Sequence, residues 1–530
     1  MKIRTDIIKM YKEVHSWVGI IAGLALFIAF YAGAITMFEE PLQRWASPPS
    51  QLPAAVSLDR TPELIGKVLA AHPEAAKGYD VHLAIDGNRP ARVSWSTGGR
   101  GDHGPRRTFQ AALDADGTLV VSEQGPSPVA QFIDVLHQQI GLPFSHEVAM
   151  PIMGVIALLY CIAIVSGTVV LLPSLISDLF ALRVGRNVKR MWLDVHNLLG
   201  LFSLPFHLIM ALTSVVFAFH DQFYDAQAVA FGRGPRPAEH AAPPPATTPL
   251  TPAALLAQLR QQAPGFTPVT ISYHSDPDHG LEARVSGTDA RYGLRGPTAG
   301  FAGVDPYTGT IEATDYMPGM QDGWSATITS FFALHFGNFG GAPIRWAYFL
   351  LGLAGALLFY TGNLLWIESR RKKERKAGLP EQTRATRILG ALTVGVPLGC
   401  IAGISLTLAA AKLLGEGATP GVHSAIYYLV FLAFTAVALL RGAARGGVEL
   451  ALAAALATFC IPLASAISGS AWYQNGASIA VDLAAVAVAG VLLLAMQSAR
   501  RRAISGTRDS IWAAPAHRSH RDLTASHQQG

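Results

Sequence analysis

Long apolar runs recur along the chain, and each is long enough to cross a bilayer as an α-helix, which needs about 20 residues. Polar segments of very different length separate these runs. The predicted spans are residues 17–38, 151–172, 198–219, 346–367, 388–411, 423–440, 448–466 and 479–496. The pattern therefore predicts an α-helical membrane bundle with about eight spans.

Charged residues make up 15% of the chain and apolar residues 50%, whereas globular proteins carry about 25% charged residues. The net charge of +5 does not indicate nucleic-acid binding, because basic residues cluster at every second end of the apolar runs. The clusters lie at residues 2–12, 183–190, 370–375, 441–445 and 500–502. Since such clusters stay cytoplasmic, we predict a multi-pass protein of the bacterial inner membrane with both termini in the cytoplasm and no nucleic-acid partner.

The first half of the chain contains one series of landmarks twice, in the same order. Each series has a histidine near the start of a span, a Thr-Pro helix start, a strand, an Asp-Gly turn and a Leu-His pair before the next span. The landmarks are His15, Thr61, Val81, Asp114 and His137 in the first copy, and His196, Thr251, Val269, Asp305 and His335 in the second. This order predicts a parallel internal repeat over the first four spans, with an extracytoplasmic α+β module in each copy.

The same patterns divide the chain into four parts. These are the repeats at 1–194 and 195–376, with modules at about 39–150 and 220–345, a four-span membrane domain at 377–499 and a disordered cytoplasmic tail at 500–530. A Pro-rich stretch at 235–252 is typical of an extended linker. Tail histidines His517, His520 and His527 are given no role.

Histidines are the main ionisable residues within the apolar runs, where such residues are costly and usually functional. His15 and His196 lie at matching positions near the cytoplasmic ends of two spans. His137 and His335 lie at matching positions on the opposite side. His207 follows His196 by eleven positions, about three turns of a continuous helix, so both are expected on one face. Imidazoles from facing helices can hold a haem iron, and two such pairs predict an electron path across the bilayer.

Two other interpretations of these histidines stay open. A zinc site normally needs three or four clustered ligands, and no such cluster is visible within the predicted spans. A histidine at a helix end, such as His15, can also be a structural residue of the headgroup region, and duplication copies a neutral residue as readily as a functional one. Cys161, Cys400 and Cys460 all lie within predicted spans, so no disulfide framework is expected.

The repeated landmarks resemble those of the PepSY-associated transmembrane family. The similar motifs are His-x-x-x-Gly at 15–19 and 196–200, an Asp-to-Ile turn at 305–311 and Leu-His-x-Gly-x-x-Gly-Gly at 334–341. The resemblance covers roughly residues 1–376. It implies paired PepSY-like modules in the periplasm and a role in iron uptake, since some members that look like this are ferric-siderophore reductases with b-type haem.

The resemblance also implies two b-type haems with axial ligands among the five histidines. The expected pairs are His15 with His196 on the cytoplasmic side and His207 with His335 toward the periplasm, with His137 as a reserve ligand. The first repeat departs from the pattern, because Leu26 occupies the position that matches His207. The four C-terminal spans go beyond the minimal family architecture.

The implied activity is that of a haem-dependent oxidoreductase. Electrons from a cytoplasmic reductase or a membrane quinol would reach a ferric siderophore in the periplasm, and reduction to Fe(II) would weaken its hard-oxygen chelation. Aromatic and basic residues near the second Leu-His pair are the expected docking residues, namely Trp324, Phe336, Phe339 and Arg345.

Two alternatives come from other functional classes. PepSY-like modules also suit a non-enzymatic membrane regulator. Parallel repeats also suit a siderophore transport accessory or permease, although transporters usually have broken helices, and Pro205 is weak support for one. A visible spectrum of the purified protein distinguishes a haem protein from both.

Overall fold

The computed structural model describes residues 4–99, 102–123, 125–175, 183, 188–231, 248–276, 280–293, 299–379, 381–469, 476–507 and 509–514. These residues form two compact units. The helical unit comprises Met1–Thr36, Pro128–Ala211 and Leu350–Gly530, and the sheet unit comprises Met37–Ser127 and Leu212–Phe349. The predicted linker at 235–252 falls mostly outside the described residues.

Helices dominate the described chain. We number them α1 Thr5–Thr36, α2 Glu39–Ala46, α3 Thr61–Ala71, α4 Val129–Gln138, α5 His146–Leu171, α6 Val188–Phe202, α7 Leu204–Ala218, α8 His220–Phe231, α9 Pro252–Gln262, α10 Gly323–Phe336, α11 Gly341–Lys376, α12 Arg384–Leu414, α13 Pro420–Ile467 and α14 Gly476–Ser505. Six of them are long and apolar enough to cross a membrane, and a seventh span is added if the bent pair α6 and α7 counts as one. The chain is therefore a multi-pass membrane protein.

Helix α13 has 48 residues, which is roughly 72 Å at 1.5 Å per residue and more than twice a hydrocarbon core of about 30 Å. Its backbone leaves the helical region at Gly442, where φ is 72° and ψ is 166°, a conformation that glycine adopts without steric cost. A Cβ on Gly446 would lie 3.4 Å from the Cα of Ala438, so the chain reverses at Gly442. The predicted spans 423–440 and 448–466 lie on the two arms, and the count of eight stays a prediction.

Helices α6 and α7 meet at an angle of 68°. The prediction that His196 and His207 share one face of a continuous helix is therefore wrong. Pro205 lies in the first turn of α7, has no N–H to donate to the preceding turn and crowds the carbonyl four residues before it. The Ser203 hydroxyl donates to the Leu199 carbonyl at the same break.

The sheet unit contains one antiparallel sheet of eight strands. They are β1 Gly78–His82, β2 Val93–Gly99, β3 Asp102–Leu113, β4 Leu119–Ser122, β5 Thr267–Asp276, β6 Gly280–Thr288, β7 Ala299–Val304 and β8 Ile311–Ala313. Their spatial order is β4-β3-β2-β1-β5-β6-β7-β8. Each predicted module contributes four strands, and the two halves join where β1 pairs with β5, a connection that was not predicted.

One face of this sheet forms the core of the unit. Val81 of β1 pairs with Ile271 of β5, and both are fully buried. Helices α3 and α9 pack on this face through residues such as Leu64 and Leu255. Both helices begin at the predicted Thr-Pro landmarks, and in α9 the Thr251 hydroxyl accepts a hydrogen bond from the Ala254 N–H.

The Asp-Gly landmarks are turns, as predicted. The Asp114 carboxylate accepts from the Thr118 N–H at 2.7 Å between β3 and β4. The Asp305 carboxylate accepts from the Tyr307 N–H at 2.8 Å after β7. These aspartates stabilise turns in the usual way for the residue type, and they have a structural role.

The predicted disorder of residues 500–530 is wrong for the first part of that segment. Helix α14 continues to Ser505, Trp512 is buried and Asp509 forms an ion pair with Arg371 of α11 at 2.9 Å. The packing of Trp512 explains the order, because burying an aromatic side chain compensates for the entropy of fixing a short segment. Residues 515–530, with the three tail histidines, lie outside the described residues.

Candidate functional site

The structure brings His15 of α1 and His196 of α6 together. Their ring centres are 6.2 Å apart and the ring planes are inclined at 71°. Two imidazoles that bind one metal ion from opposite sides, each at about 2 Å, have ring centres roughly 6 Å apart. The spacing of this predicted pair therefore fits a single metal ion held between the rings.

Both rings are oriented by backbone carbonyls of other helices. The Nδ1–H of His15 donates to the Ala163 carbonyl of α5 at 2.9 Å, and that of His196 donates to the Leu358 carbonyl of α11 at 3.2 Å. A carbonyl can only accept, so in each neutral ring Nδ1 carries the proton and Nε2 has the free lone pair. Metal-binding histidines are usually held by a hydrogen bond of this kind.

Glycine allows both rings to pack against a neighbouring helix. A Cβ on Gly167 of α5 would lie 2.8 Å from Cε1 of His15, and a Cβ on Gly362 of α11 would lie 3.5 Å from Cε1 of His196. The first distance is shorter than real contacts of a Cβ atom, whereas the second is ordinary van der Waals contact. Only the His15 ring therefore requires a glycine.

His207 of α7 lies in an aromatic enclosure and is 2% exposed. The centres of the Phe30, Phe206 and Phe359 rings lie 5.5, 5.7 and 6.2 Å from that of His207. Its Nδ1 is hydrogen-bonded to the Tyr160 hydroxyl of α5. Its Nε2 is buried and has no hydrogen-bond partner among the described residues. A buried polar atom without a partner costs about 1–3 kcal/mol, so this nitrogen suits a metal or ligand.

His137 has the same kind of arrangement as the first pair. It lies on α4, and its Nδ1–H donates to the Ala29 carbonyl of α1 at 2.8 Å. A Cβ on Gly33 would lie 2.7 Å from Nδ1 of this ring. The reserve ligand is thus held as firmly as His15, by a carbonyl and a glycine of the same helix.

His335 lies on α10 in the sheet unit. Its Nδ1 and the Thr213 hydroxyl are 2.8 Å apart, and its ring contacts Phe217 and Phe336 at centre distances of 4.9 and 5.4 Å. His207 belongs to the helical unit, so the expected pair of His207 with His335 stays a prediction.

The expected docking residues lie along α10 and the segment after it. Trp324 and Phe336, at the two ends of α10, are largely exposed, while Phe339 packs against Tyr348 at 6.1 Å between ring centres. Arg345 is half-buried in the first turns of α11. Trp324 and Phe336 are twelve residues apart, which is about 18 Å along a helix, so the aromatic residues do not form one compact patch.

A cluster of polar side chains lies on the polar face of the sheet, outside the membrane helices. The Ser272 hydroxyl donates to the Asp80 carboxylate at 2.5 Å, and Nε2 of His82 lies 2.8 Å from the Ser94 hydroxyl. Burial lowers the pKa of His82, so this imidazole is neutral at pH 7. These contacts join neighbouring strands, and we assign them a structural role.

Sequence reasoning missed three buried polar side chains. Tyr160 orients His207, Asn363 of α11 has no partner for either amide atom among the described residues, and His423 of α13 has none for either ring nitrogen. All three interrupt apolar runs, where polar residues are costly. That signal was present in the sequence, at the first residue of the predicted span 423–440 in the case of His423.

The comparisons with known proteins concern the part of the chain that carries the histidine pair. The family model described as the PepSY-associated TM region matches residues 12–369. That range includes all five predicted ligands and ends before α12. No curated protein matches the chain.

Proposed function

The chain belongs to the family of the PepSY-associated TM region, and from this premise we propose that it is a haem-containing ferric-siderophore reductase of the bacterial inner membrane. The observation that carries the proposal is the pair of His15 and His196, with ring centres 6.2 Å apart. In this proposal the chain crosses the membrane eight times, both termini are cytoplasmic and the sheet unit is periplasmic.

Haem fits the donor set better than a metal ion alone. Within the described ranges, no three or more His, Cys, Asp or Glu side chains lie close enough to hold a metal together, whereas zinc normally needs three or four such ligands. Haem needs only two axial ligands from the protein, because the porphyrin supplies the other four. Bound haem would supply one-electron chemistry at its iron.

The protein residues would hold and tune each haem. His15 and His196 would present Nε2 to one iron, since Ala163 and Leu358 hold both rings by Nδ1. His207 would present its unpartnered Nε2 to the second iron. We propose His335 as the second ligand of that iron, with His137, whose Nδ1–H donates to the Ala29 carbonyl, as the reserve ligand.

The substrate in this proposal is a ferric siderophore in the periplasm. Electrons would come from a cytoplasmic reductase or a membrane quinol, and bound haem would supply the one-electron carriers. Reduction of the chelated Fe(III) would give Fe(II), which hard oxygen ligands release more readily. Trp324, Phe336, Phe339 and Arg345 are the proposed docking residues. The aromatic enclosure of His207 excludes water from the inner ligand and so favours electron transfer over side reactions.

A second candidate function is siderophore transport, or an accessory role in it. The break between α6 and α7 supports it, because transporters often bind substrate at discontinuous helices. The matching helix of the first repeat, α1, is continuous from Thr5 to Thr36. Inverted or parallel transporter repeats usually carry the break in both copies, so we rank transport below reduction. A non-enzymatic regulator is the remaining alternative.

The test is a visible spectrum of the purified full-length protein with and without dithionite, together with the haem content of His196→Ala. We expect a low-spin haem spectrum and loss of about half the haem in the variant. His146→Ala is the matched control, because His146 is an exposed histidine at the start of α5. A colourless protein from haem-replete cells, or an unchanged haem content in His196→Ala, would refute the proposal.

A further inference from the structure

A buried histidine in the C-terminal part of the chain lies outside the matched residues 12–369. His423 is in the first turn of α13, where its N–H donates to the Thr419 carbonyl. Its side chain is 0% exposed, and neither ring nitrogen has a hydrogen-bond partner among the described residues. It is thus a fully buried imidazole whose ring nitrogens have no hydrogen-bond partner in the part of the chain that the structure describes.

A neutral imidazole needs one hydrogen-bond acceptor and one hydrogen-bond donor as partners. One ring nitrogen donates and the other accepts, so His423 leaves one donor and one acceptor unsatisfied, each at a cost of about 1–3 kcal/mol. The candidate haem ligands differ, because a carbonyl holds Nδ1 in His15, His196 and His137. Without such a bond, His423 lacks the orientation typical of a metal ligand and suits a small molecule that both donates and accepts.

One aromatic ring packs against this imidazole, and a tyrosine lies beside it on the same helix. The Phe132 ring of α4 lies 5.8 Å from the His423 ring and 5.9 Å from the Tyr427 ring. Tyr427 follows His423 by one helical turn, so the two side chains share a face of α13. Tyr427 is also fully buried, and its hydroxyl has no hydrogen-bond partner among the described residues.

The position of the cluster of His423, Tyr427 and Phe132 favours a lipid-soluble ligand. His423 lies near the end of a membrane helix, and Phe132 lies on α4, the helix that carries His137. A Cβ on Gly141, which follows α4, would lie 3.4 Å from the Tyr427 hydroxyl. A flat aromatic ring with hydroxyl groups, able to enter from the bilayer, matches these polar and aromatic contacts.

We propose that His423, Tyr427 and Phe132 bind the headgroup of a membrane quinol. His423 accepts a hydrogen bond and then a proton from one quinol hydroxyl, Tyr427 contacts the other oxygen, and Phe132 packs against the ring. Binding does not depend on the proposed reductase function, but the destination of the electrons rests on it.

The reaction balances with a ferric chelate as the oxidant. Oxidation of one quinol to quinone breaks two O–H bonds and releases two protons and two electrons. One proton goes to His423 and then to water at the membrane surface, and the other goes directly to that water. The two electrons reduce two equivalents of Fe(III) chelate to Fe(II), and bound haem would supply the one-electron carriers between the two sites.

The experiment measures binding of decylubiquinol, kept reduced under anaerobic conditions, to the full-length protein in nanodiscs, by equilibrium titration. We expect His423→Phe to weaken binding by about tenfold or more, since one or two hydrogen bonds are lost, and Tyr427→Phe to weaken it less. His146→Phe, also in the first turn of a membrane helix, should bind as the unmodified protein does. Without quinol, His423→Phe should melt at a higher temperature, because it removes two unsatisfied polar atoms.

Several results would overturn the proposal. Unchanged affinity in His423→Phe, or no saturable binding to the unmodified protein, would mean that buried water alone satisfies the imidazole. Loss of a haem signal in His423→Phe would make this residue a haem ligand. A colourless protein that binds quinol through His423 would instead refute the reductase function and leave this site intact.

Discussion

The two halves of the chain that the landmarks predict to be repeats are alike in the sheet unit and differ in the helical unit. In the sheet unit, β1 to β4 pair in chain order on one side, and β5 to β8 pair in chain order on the other. The two sets meet at the seam where β1 pairs with β5. In the helical unit, α1 runs unbroken through Leu26, whereas α6 and α7 meet at 68° and place His207 among aromatic rings. The first histidine of each copy has kept its Nδ1–carbonyl bond, and the second site exists in one copy only. In the proposed repeat, duplication accounts for the pair of His15 and His196, and divergence accounts for the aromatic enclosure of His207.

The prediction with the largest expected effect concerns the removal of His15 and of His196. We expect His15→Ala and His196→Ala each to lose about half the haem, and the double variant to lose no more than either one, because both hold the same iron. Haem per protein, measured as the pyridine haemochrome, decides the outcome. Additive losses in the double variant would show that the two residues serve different sites.

The next test concerns the second site, which the first repeat lacks. Tyr160→Phe removes the hydroxyl that holds Nδ1 of His207, and loss of such an orienting partner typically weakens metal binding about 10- to 100-fold. We expect one haem to dissociate more readily in dilution experiments followed by absorbance. Tyr316→Phe is the control, because Tyr316 is an exposed tyrosine of the sheet unit whose ring stacks on Phe301. Equal haem retention in both variants would contradict the role of Tyr160.

A smaller effect distinguishes the packing of His15 from that of His196. Gly167→Ala would force a methyl group to 2.8 Å from His15, whereas Gly362→Ala would meet His196 at 3.5 Å. Overpacking of this kind costs about 1–3 kcal/mol, so we expect a lower melting temperature for Gly167→Ala alone. Gly19→Ala, with open space around its Cβ position, is the control. Equal melting temperatures for the variants at 167 and 362 would show that the two histidine rings pack equally closely on their neighbouring helices.

The smallest effect concerns an ion pair between the second predicted repeat and the C-terminal segment. The Arg371 guanidinium lowers the pKa of Asp509 from 3.8 to about 2. A lowered pKa stabilises the packed segment at pH above 4, and this contribution of about 1–2 kcal/mol is lost as the pH falls from 4 to 2. We expect Trp512 fluorescence to change over that range, and Asp509→Asn to remove the pH dependence. An unchanged profile in Asp509→Asn would assign the transition to another group.

The landmarks in the sequence predicted most of the sheet unit. Thr-Pro helix starts, alternating strands and Asp-Gly turns are local signals, and α3, α9 and the turns at Asp114 and Asp305 all lie where these signals occur. The pairing of β1 with β5 was not predictable, because an edge-to-edge contact between distant segments leaves no local pattern. The reversal at Gly442 was predictable, because the sequence places basic residues 441–445 between the predicted spans 423–440 and 448–466.

The candidate site was predictable in part. Matching positions in the repeat identified His15 and His196, which the structure brings together. The face shared by His196 and His207 was wrong, because the 3.6-residue period was extended across Pro205. Tyr160 and His423 were missed because the importance of each depends on its partner, or on the absence of one among the described residues, which only the packed helices reveal.

The seam between β1 and β5 has a consequence for biogenesis. Strand β1 leaves the ribosome almost two hundred residues before β5, so the first four strands wait with an open hydrogen-bonding edge while α5, α6 and α7 are inserted. Such an edge invites pairing with other chains. Nascent protein should therefore be vulnerable to aggregation during this interval, and a chain truncated before residue 267 should depend on holding chaperones until degraded.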